Sequence, residues 1–366
     1  MVEERDHTKP FVYVLAPYLE TTDENISYYY DFTQSIEEYT RIFSELNFEW
    51  KWQPVTMKDY PGIIDAISDH AQSIPTVVLN LCDGDEVNGT PGISVVKKLE
   101  ESGLIYTGAD EYFYRITTSK IPMKKAFDAA GVSHAGWETI ATPAFQGEGL
   151  FEKLGSPIIL KPSVSGGSMG VGVRNVVNDH AAMKEQLKKM FEGYRGWDLS
   201  IDGIIAEQFI NGREFTTMIT GSGHNPDFCR VYYPVERVFH ASLPSHEKFL
   251  SFDRLWEIYE EEAAMPNNDN FYEYAPVEKE LGEKIRTISL DAYRAVNGTG
   301  YTRVDIRMDE KSGNLYVLEV NAQCGLSEDE NFTSIGAILK ANGTSFKEMI
   351  LEVLQDAFIR KGITWG

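Results

Sequence analysis

Two continuous apolar runs, residues 11–16 and 76–81, are too short for helices buried all round and have the length of strands covered on both faces. Segments with helical spacing, around residues 39–46 and 93–101, follow them. This alternation predicts a parallel sheet with helices on both sides. The second run opens into Cys-Asp-Gly-Asp-Glu-Val-Asn-Gly-Thr-Pro-Gly, a turn-rich loop at the carboxyl end of a strand, where open sheets take ligands. A plain connection is an equal reading of that loop alone.

A helix is predicted from about Thr118-Ser119, with Pro122 tolerated in its first turn and Lys120 at its start. A strand over 157–161 leads through a Gly/Ser loop to a second strand over 171–177; then Met183, Leu187 and Met190 mark an amphipathic helix capped by Asp179. Strands over 215–220 and 230–234 come next. The polar stretch 240–270 holds the run Glu260-Glu261-Glu262 and has the length of a lid, although a solvated insertion is the expected state of most of its residues. Pro276 opens a helix with Leu281, Ile285, Ile288 and Ala292 at helical spacing, ended by Asn297-Gly298. Phe346, Ile350, Leu354 and Phe358 mark the last helix. No internal repeat is visible.

A charged cluster lies between these helices. Arg303, Asp305 and Arg307 alternate with Val304, Ile306 and Met308, and Glu319 and Asn321 share one face of the following strand. The link Asp309-Glu310-Lys311-Ser312-Gly313-Asn314 is rich in turn residues, so a hairpin combines the two polar faces. Two carboxylates and an amide oxygen beside an arginine suit Mg²⁺, which takes carboxylates together with phosphate oxygens. That points to nucleotide chemistry.

Composition narrows the field. At 366 residues two or three domains are expected, and a formal charge of -22 argues against nucleic-acid or anionic-membrane partners. Cys82, Cys229 and Cys324 are too few and too scattered for a disulfide framework, which fits a reducing compartment. The first apolar run is too short for a signal peptide or a membrane span, so a cytoplasmic location is expected.

The strand ending at Lys161 is followed by Pro-Ser-Val-Ser-Gly-Gly-Ser-Met-Gly. A lysine offers a point charge to phosphates, and glycines let backbone N–H groups approach them. No P-loop pattern is present. In order along the chain, residues 80–92 with Tyr106-Thr-Gly, Ser119-Lys120, Leu160-Lys161-Pro-Ser with its loop, Ala206-Glu-Gln-Phe-Ile with Arg213-Glu214-Phe-Thr, and Arg303-Val-Asp305 through Glu319-Val-Asn321 to Gly325 resemble the ATP-grasp superfamily. Within it they resemble the D-alanine–D-alanine ligase group. The resemblance covers most of the chain from about Leu79 onward, with Asp23-Glu-Asn-Ile-Ser as an N-terminal echo.

The resemblance implies a mixed α/β and α+β chain of ATP-grasp architecture. An N-terminal Rossmann-like domain (1–112) would precede a central domain (113–205) and a C-terminal catalytic domain (206–366), the two α+β domains clamping ATP. It implies an ADP-forming carboxylate–amine ligase acting through an acyl phosphate on an amino acid or small peptide-like acid. Its cofactors would be ATP and Mg²⁺, with Mn²⁺ as the alternative metal, and it would form a homodimer. Lys120 and Lys161 would hold the α- and β-phosphates, and Ser165, Gly166, Gly167 and Ser168 would fold over the γ-phosphate. Backbone groups of Gln208 and Ile210 would read adenine, with Glu207 on its amino group and Glu214 on the ribose hydroxyls. Asp305, Glu319 and Asn321 would hold the metal, and Arg303 with the N–H near Gly325 would stabilise the oxyanion.

The amino-acid half departs from that pattern. Asn25, with Glu24 adjacent, stands where the family has a glutamate for the first substrate's amino group; Gly167 replaces a serine and Cys82 a histidine. A Lys-Tyr pair of the lid is Leu255-Trp256 here, leaving Arg254 or Lys248 as replacement cations. The segment that receives the second carboxylate reads Leu-Ser327-Glu328-Asp329-Glu330. Ser327, Glu328 and Glu330 are therefore expected substrate contacts, the acids either holding a cationic group or favouring a helix N-terminus. Tyr28, Tyr29 and Tyr30 line a pocket or belong to core or interface. A retained nucleotide half beside a rewritten amino-acid half implies a different substrate pair. A genuine D-alanine–D-alanine ligase and a non-catalytic nucleotide-binding partner are the alternatives.

Overall fold

Four strands, β1 (Phe11–Pro17), β2 (Trp50–Val55), β3 (Thr76–Asn80) and β4 (Ile105–Tyr106), pair in parallel in the order β2-β1-β3-β4. The computed structural model describes residues 9–19, 31–87, 89–225, 228–329 and 333–363. All five residues of β3 are buried, as a strand covered on both faces requires. Helices Tyr60–Ala71 and Ile93–Glu101 cover one face through Ile64, Ile67, Val95 and Leu99. Helix Thr33–Leu46 covers the other with Tyr39, Ile42 and Phe43, joined by Val353 and Leu354 of the last helix, Phe346–Arg360. The chain thus returns to close its first domain. β2 and the helix after it escape the apolar pattern because Lys51, Gln53 and Pro54 interrupt the strand, which an edge position tolerates.

The central unit has its own core. β5 (Trp137–Ile140), β6 (Ile158–Pro162), β7 (Val176–Val177) and β8 (Ile204–Gln208) make an antiparallel sheet of order β5-β8-β6-β7, covered by helices Leu150–Leu154 and His180–Glu192. Asp179 caps the latter, accepting from the N–H groups of Ala181 and Ala182 at 2.9 Å each. All five residues of β8 pair with β6, so Ile204–Gln208 is a strand of the central sheet. The expected strand over 171–177 reduces to a 3-10 turn, Val173–Asn175, and the two residues of β7.

β9 (Gly212–Thr220), β10 (Arg230–Val231), β11 (Val235–Phe239), β12 (Tyr272–Pro276), β13 (Tyr301–Asp309) and β14 (Leu315–Ala322) form the third sheet, ordered β12-β11-β9-β13-β14 with β10 on β9. Pro276 ends a strand instead of opening a helix, which begins at Lys279 and runs to Ala295. One face of this sheet, with Phe215, Ile219, Val304, Ile306, Val317 and Val320, shares a continuous core with Leu15 and Val78 of the parallel sheet and with Met123 and Phe127 of helix Lys120–Ala130. First and third sheets are therefore one packed body, from which the separately cored central sheet projects. Among the described residues no helix is long and apolar enough to cross a membrane, and the three cysteines are free.

Candidate functional site

The hairpin forms as its sequence requires. Gly313 takes a positive φ of 71° and donates to Asp309 O at 2.8 Å, and Asp309 N–H donates to Asn314 O at 2.9 Å. Register then sets Arg303 opposite Asn321 and Asp305 opposite Glu319, with a bulge after Asp305. On the other side of β13, Thr216 and Glu214 of β9 face Asp305 and Arg307, and Arg237 of β11 faces Glu214. Three arginines and three carboxylates therefore share one sheet face.

Their geometry separates a rigid part from an open part. Arg303 Nε and Nη2 donate to Asp305 Oδ2 at 3.0 and 2.9 Å, and Asn321 Nδ2 reaches the same oxygen at 3.0 Å. Burial works against a charge on Asp305, but Arg303 and Arg237 more than offset it and hold the carboxyl below its ordinary range. Glu319 is the open member: its side chain is 31 % exposed, with Lys120 Nζ 3.6 Å away. Among the described residues no three His, Cys, Asp or Glu gather at one point, so a cation at this face would need the Asn321 amide for a third oxygen. An ionised buried carboxylate, an accessible one already facing an ammonium, and an amide on adjacent strands fit a hard divalent cation.

Lys120 is the first residue of its helix, and its ammonium also donates to Ser165 O at 3.3 Å. Lys161 of β6 donates to Glu207 Oε2 at 2.8 Å, and Lys124 Nζ lies 2.9 Å from Oε1. Burial opposes a charge on Glu207, yet the two lysines pull its pKa from 4.5 to about 2. One carboxylate thus balances two ammonium groups, a surplus that favours a polyanion.

Several expected nucleotide contacts are engaged within the protein. Glu207, assigned above to an adenine amino group, is 1 % exposed and acts as counter-ion to Lys124 and Lys161. Glu214, assigned to ribose, is 4 % exposed, with one oxygen on Arg237 and the other accepting from Arg307 Nε at 3.1 Å. The Ile210 carbonyl accepts from Arg307 Nη1 at 2.8 Å, and the Gln208 N–H donates to Gly136 O at 2.9 Å. Arg307 also donates to the Lys248 carbonyl, so one guanidinium ties the β8–β9 connection, the sheet and the stretch 240–270 together.

The stretch 240–270 is solvated over more than half of its residues, as expected, but it is anchored to the central unit at particular points. Trp256 Nε1 donates to Gly167 O at 2.8 Å, bringing two departures from the family pattern into contact. The acidic run binds the central unit: Glu260 accepts from Tyr194 at 2.7 Å and pairs with Arg195, Glu261 accepts from Arg174 at 2.6 Å, and Glu262 from Val173 N–H at 2.8 Å. Arg254 is 7 % exposed and pairs with Glu247 and Glu262, while its buried Nη1 meets no hydrogen-bond acceptor among the described residues.

Beyond Gly325 the substrate expectations change. Ser327 is fully buried and donates to Glu38 Oε1 at 2.7 Å, and Glu328 pairs with Arg41. The following helix starts only at Ser334, so Glu328 and Asp329 do not lie in its first turn. Glu24, Asn25, Glu330 and Tyr28 to Tyr30 lie outside the described residues. Arg237, Lys124 and Glu38, which partner Glu214, Glu207 and Ser327, are residues that sequence reasoning missed. Alternation along β11 carries a signal for Arg237, but nothing local reports the strand beside it.

The family profile described as D-ala D-ala ligase C-terminus matches residues 126–355. A D-alanine–D-alanine ligase of Xanthomonas axonopodis pv. citri is 28% identical over 280 residues, covering 76% of this chain and 77% of the relative. A D-alanine–D-alanine ligase B of Chromobacterium violaceum is 26% identical over 71% of this chain and 74% of its own length. Among solved structures, the D-alanine–D-alanine ligase of Bacillus anthracis complexed with ATP superposes with a TM-score of 0.68 at 19% identity, over 97% of this chain and 99% of that one. The VanG D-Ala:D-Ser ligase of Enterococcus faecalis superposes with a TM-score of 0.67 at 17% identity, over 95% and 99%.

Proposed function

The chain belongs to the D-alanine–D-alanine ligase family of ADP-forming, ATP-dependent ligases, and from that premise we propose that it joins the carboxylate of an amino acid or small peptide-like acid to an amine through an acyl phosphate. A carboxylate oxygen of the donor attacks the γ-phosphorus of ATP and the bond to ADP breaks. The amine nitrogen then attacks the acyl carbon, inorganic phosphate leaves with the bonding pair, and the nitrogen gives up its proton.

The supporting observation is the sheet face where Arg303, Asp305, Glu319 and Asn321 converge beside Lys120. Lys120 and Lys161 rest on Glu319 and Glu207 and exchange these partners for phosphate oxygens. Ser165, Gly166, Gly167 and Ser168, two of them at positive φ, direct backbone N–H groups at the γ-phosphate. Asp305, Glu319 and Asn321 would hold Mg²⁺, which when bound offsets charge on the transferred phosphoryl group. Arg303, through donors not spent on Asp305, and Gly325 N–H receive the oxyanion, a contribution of about 3 kcal/mol per donor. Acyl phosphates hydrolyse in water, so the lid that ties Trp256 to Gly167 excludes it during the second step. In this reading the central unit and the third sheet clamp ATP, as expected of domains 113–205 and 206–366.

Incubation with ATP, Mg²⁺, an acid panel and hydroxylamine tests the proposal. ADP and a hydroxamate should form together for an accepted acid, and absence of both across a broad panel would overturn it. The names of the relatives favour a second reading, a D-alanine–D-alanine ligase, which turnover on D-alanine alone would establish.

A further inference from the structure

We infer that Gln323 is a positioning residue for the second chemical step: clamped by the first domain, it holds the backbone reversal that aims the Gly325 N–H at the oxyanion. The inference deepens the ligase reading above and rests on it. β14 ends its ladder at Ala322, opposite Thr302. Asn321, the proposed metal ligand, is therefore placed by the hairpin itself: its carbonyl accepts from Thr302 Oγ1 at 2.9 Å and its Nδ2 donates to Asp305 Oδ2 at 3.0 Å. One residue beyond the ladder the chain turns away. Gln323 takes a φ of 55°, in the left-handed region where a Cβ crowds a carbonyl oxygen. Of the non-glycine residues with positive φ among the described residues, Gln323 alone is buried. Such strain persists where the surroundings over-determine it, and it gathers at working sites. Cys324 comes next, near enough to Arg303 and Asp305 for their charges to act on its thiol, and then the exposed Gly325. The reversal thus carries the chain back over the reacting face.

A clamp holds it there. The Gln323 side chain is 1 % exposed and spends both ends of its amide on the backbone of the first domain: Oε1 accepts from Ala109 N–H at 2.7 Å, and Nε2 donates to Asn80 O at 2.7 Å. These partners fix which way the amide points, since an N–H can meet only the oxygen and a carbonyl only the NH₂. Asn80 ends β3, and Ala109 stands just ahead of helix Glu111–Thr118. A Cβ on Gly108 would lie 1.6 Å from Gln323 Oε1, and one on Gly300 would lie 2.1 Å from Gly108 O, so the backbone closes tightly around the amide. Lys120, Lys161 and Asn321 take no part in the clamp. It governs residues 323–325 and leaves the phosphate and metal groups, on which the first step depends, where they are. A side chain serving stability alone would favour neither step.

Single-turnover measurements separate the two steps. An acid that gives a hydroxamate with the wild type, ATP, Mg²⁺ and hydroxylamine is chosen first. With enzyme in excess over ATP and hydroxylamine as the amine, acid-quenched samples then report ADP for the first step and hydroxamate for the second. Gln323→Gly removes the clamp and the left-handed strain together. Its ADP should form within about threefold of the wild-type rate, while hydroxamate formation should fall at least about tenfold, as expected when an oxyanion donor is misdirected. Gln323→Glu keeps the volume and the acceptor for Ala109 N–H but loses the donor to Asn80 O. It should show the same split at smaller size, and it decides the matter if the melting temperature shows that the glycine variant does not fold. Equal falls in both steps, or an unchanged hydroxamate rate, would overturn the inference while leaving the ligase standing. No hydroxamate from the wild type with any acid would remove both.

Discussion

Trp256 donates its indole N–H to the carbonyl of Gly167 at 2.8 Å, and its ring stands 3.1 Å from the point that a Cβ on Gly167 would occupy. The stretch 240–270 and the Gly/Ser loop therefore meet through an aromatic edge lying on a glycine that also holds a positive φ of 55°. The small residue and the large one are a matched pair.

Gly167→Ser tests that match. The left-handed backbone costs a non-glycine residue about 1–2 kcal/mol, and the ring must move as well. Turnover should fall by about tenfold or more, and Trp256→Tyr in the same chain should recover part of it. A double-mutant cycle on kcat/KM for ATP measures the coupling, and strictly additive losses would contradict the pairing.

Glu319→Gln and Asp305→Asn should part company in stability. Glu319 is partly open, with one loose ion pair, so its variant should melt within a few degrees of the wild type while turnover falls at least about a hundredfold. Asp305 is buried against Arg303 and Arg237, and breaking such a pair costs roughly 3–5 kcal/mol. Its variant should lose both turnover and melting temperature. Thermal unfolding and ADP release on the same samples check the contrast.

Glu207 sets an acid-limb prediction. Its pKa is lowered from 4.5 to about 2, so the stabilisation is complete above about pH 4.5 and lost as pH falls through about 2. At about 1.4 kcal/mol per tenfold change in proton affinity this amounts to roughly 3 kcal/mol at neutral pH. Glu207→Gln should be destabilised by about that much at pH 7, and the gap from wild type should close between pH 4.5 and 2. Denaturant melts across that range read the trend directly.

The acidic latch should be uneven. Glu261 and Arg174 are each about half exposed, so Glu261→Gln should cost less than about 1 kcal/mol. Glu262 is nearly buried and accepts from Val173 N–H and from Ser251 Oγ at 2.6 Å. Glu262→Ala strands those donors, at about 1–3 kcal/mol, and loosens the lid. More ATP should then be spent per amide formed, measured as the ratio of ADP to amide product.

Local information carried the parts of this protein that depend on a few neighbouring residues. Alternation and a turn-rich link were enough for the hairpin bearing Arg303, Asp305, Glu319 and Asn321, because strand parity and turn chemistry act within about twenty residues. The Asp179 cap, the buried strand β3 and Lys120 at a helix start were legible for the same reason. Pro276 misled because a proline ends a strand as readily as it opens a helix.

What sequence by itself determined was the inventory of charged and small residues and the order of the segments that carry them. Tertiary structure alone decided which charges meet. Glu38 and Ser327 are 289 positions apart, Trp256 and Gly167 are 89, and Arg237 reaches Glu214 only through the register of β11 on β9. Such contacts arise from how three sheets pack and where chains return. No periodicity along the chain encodes them, and they give several expected substrate and nucleotide ligands partners within the protein.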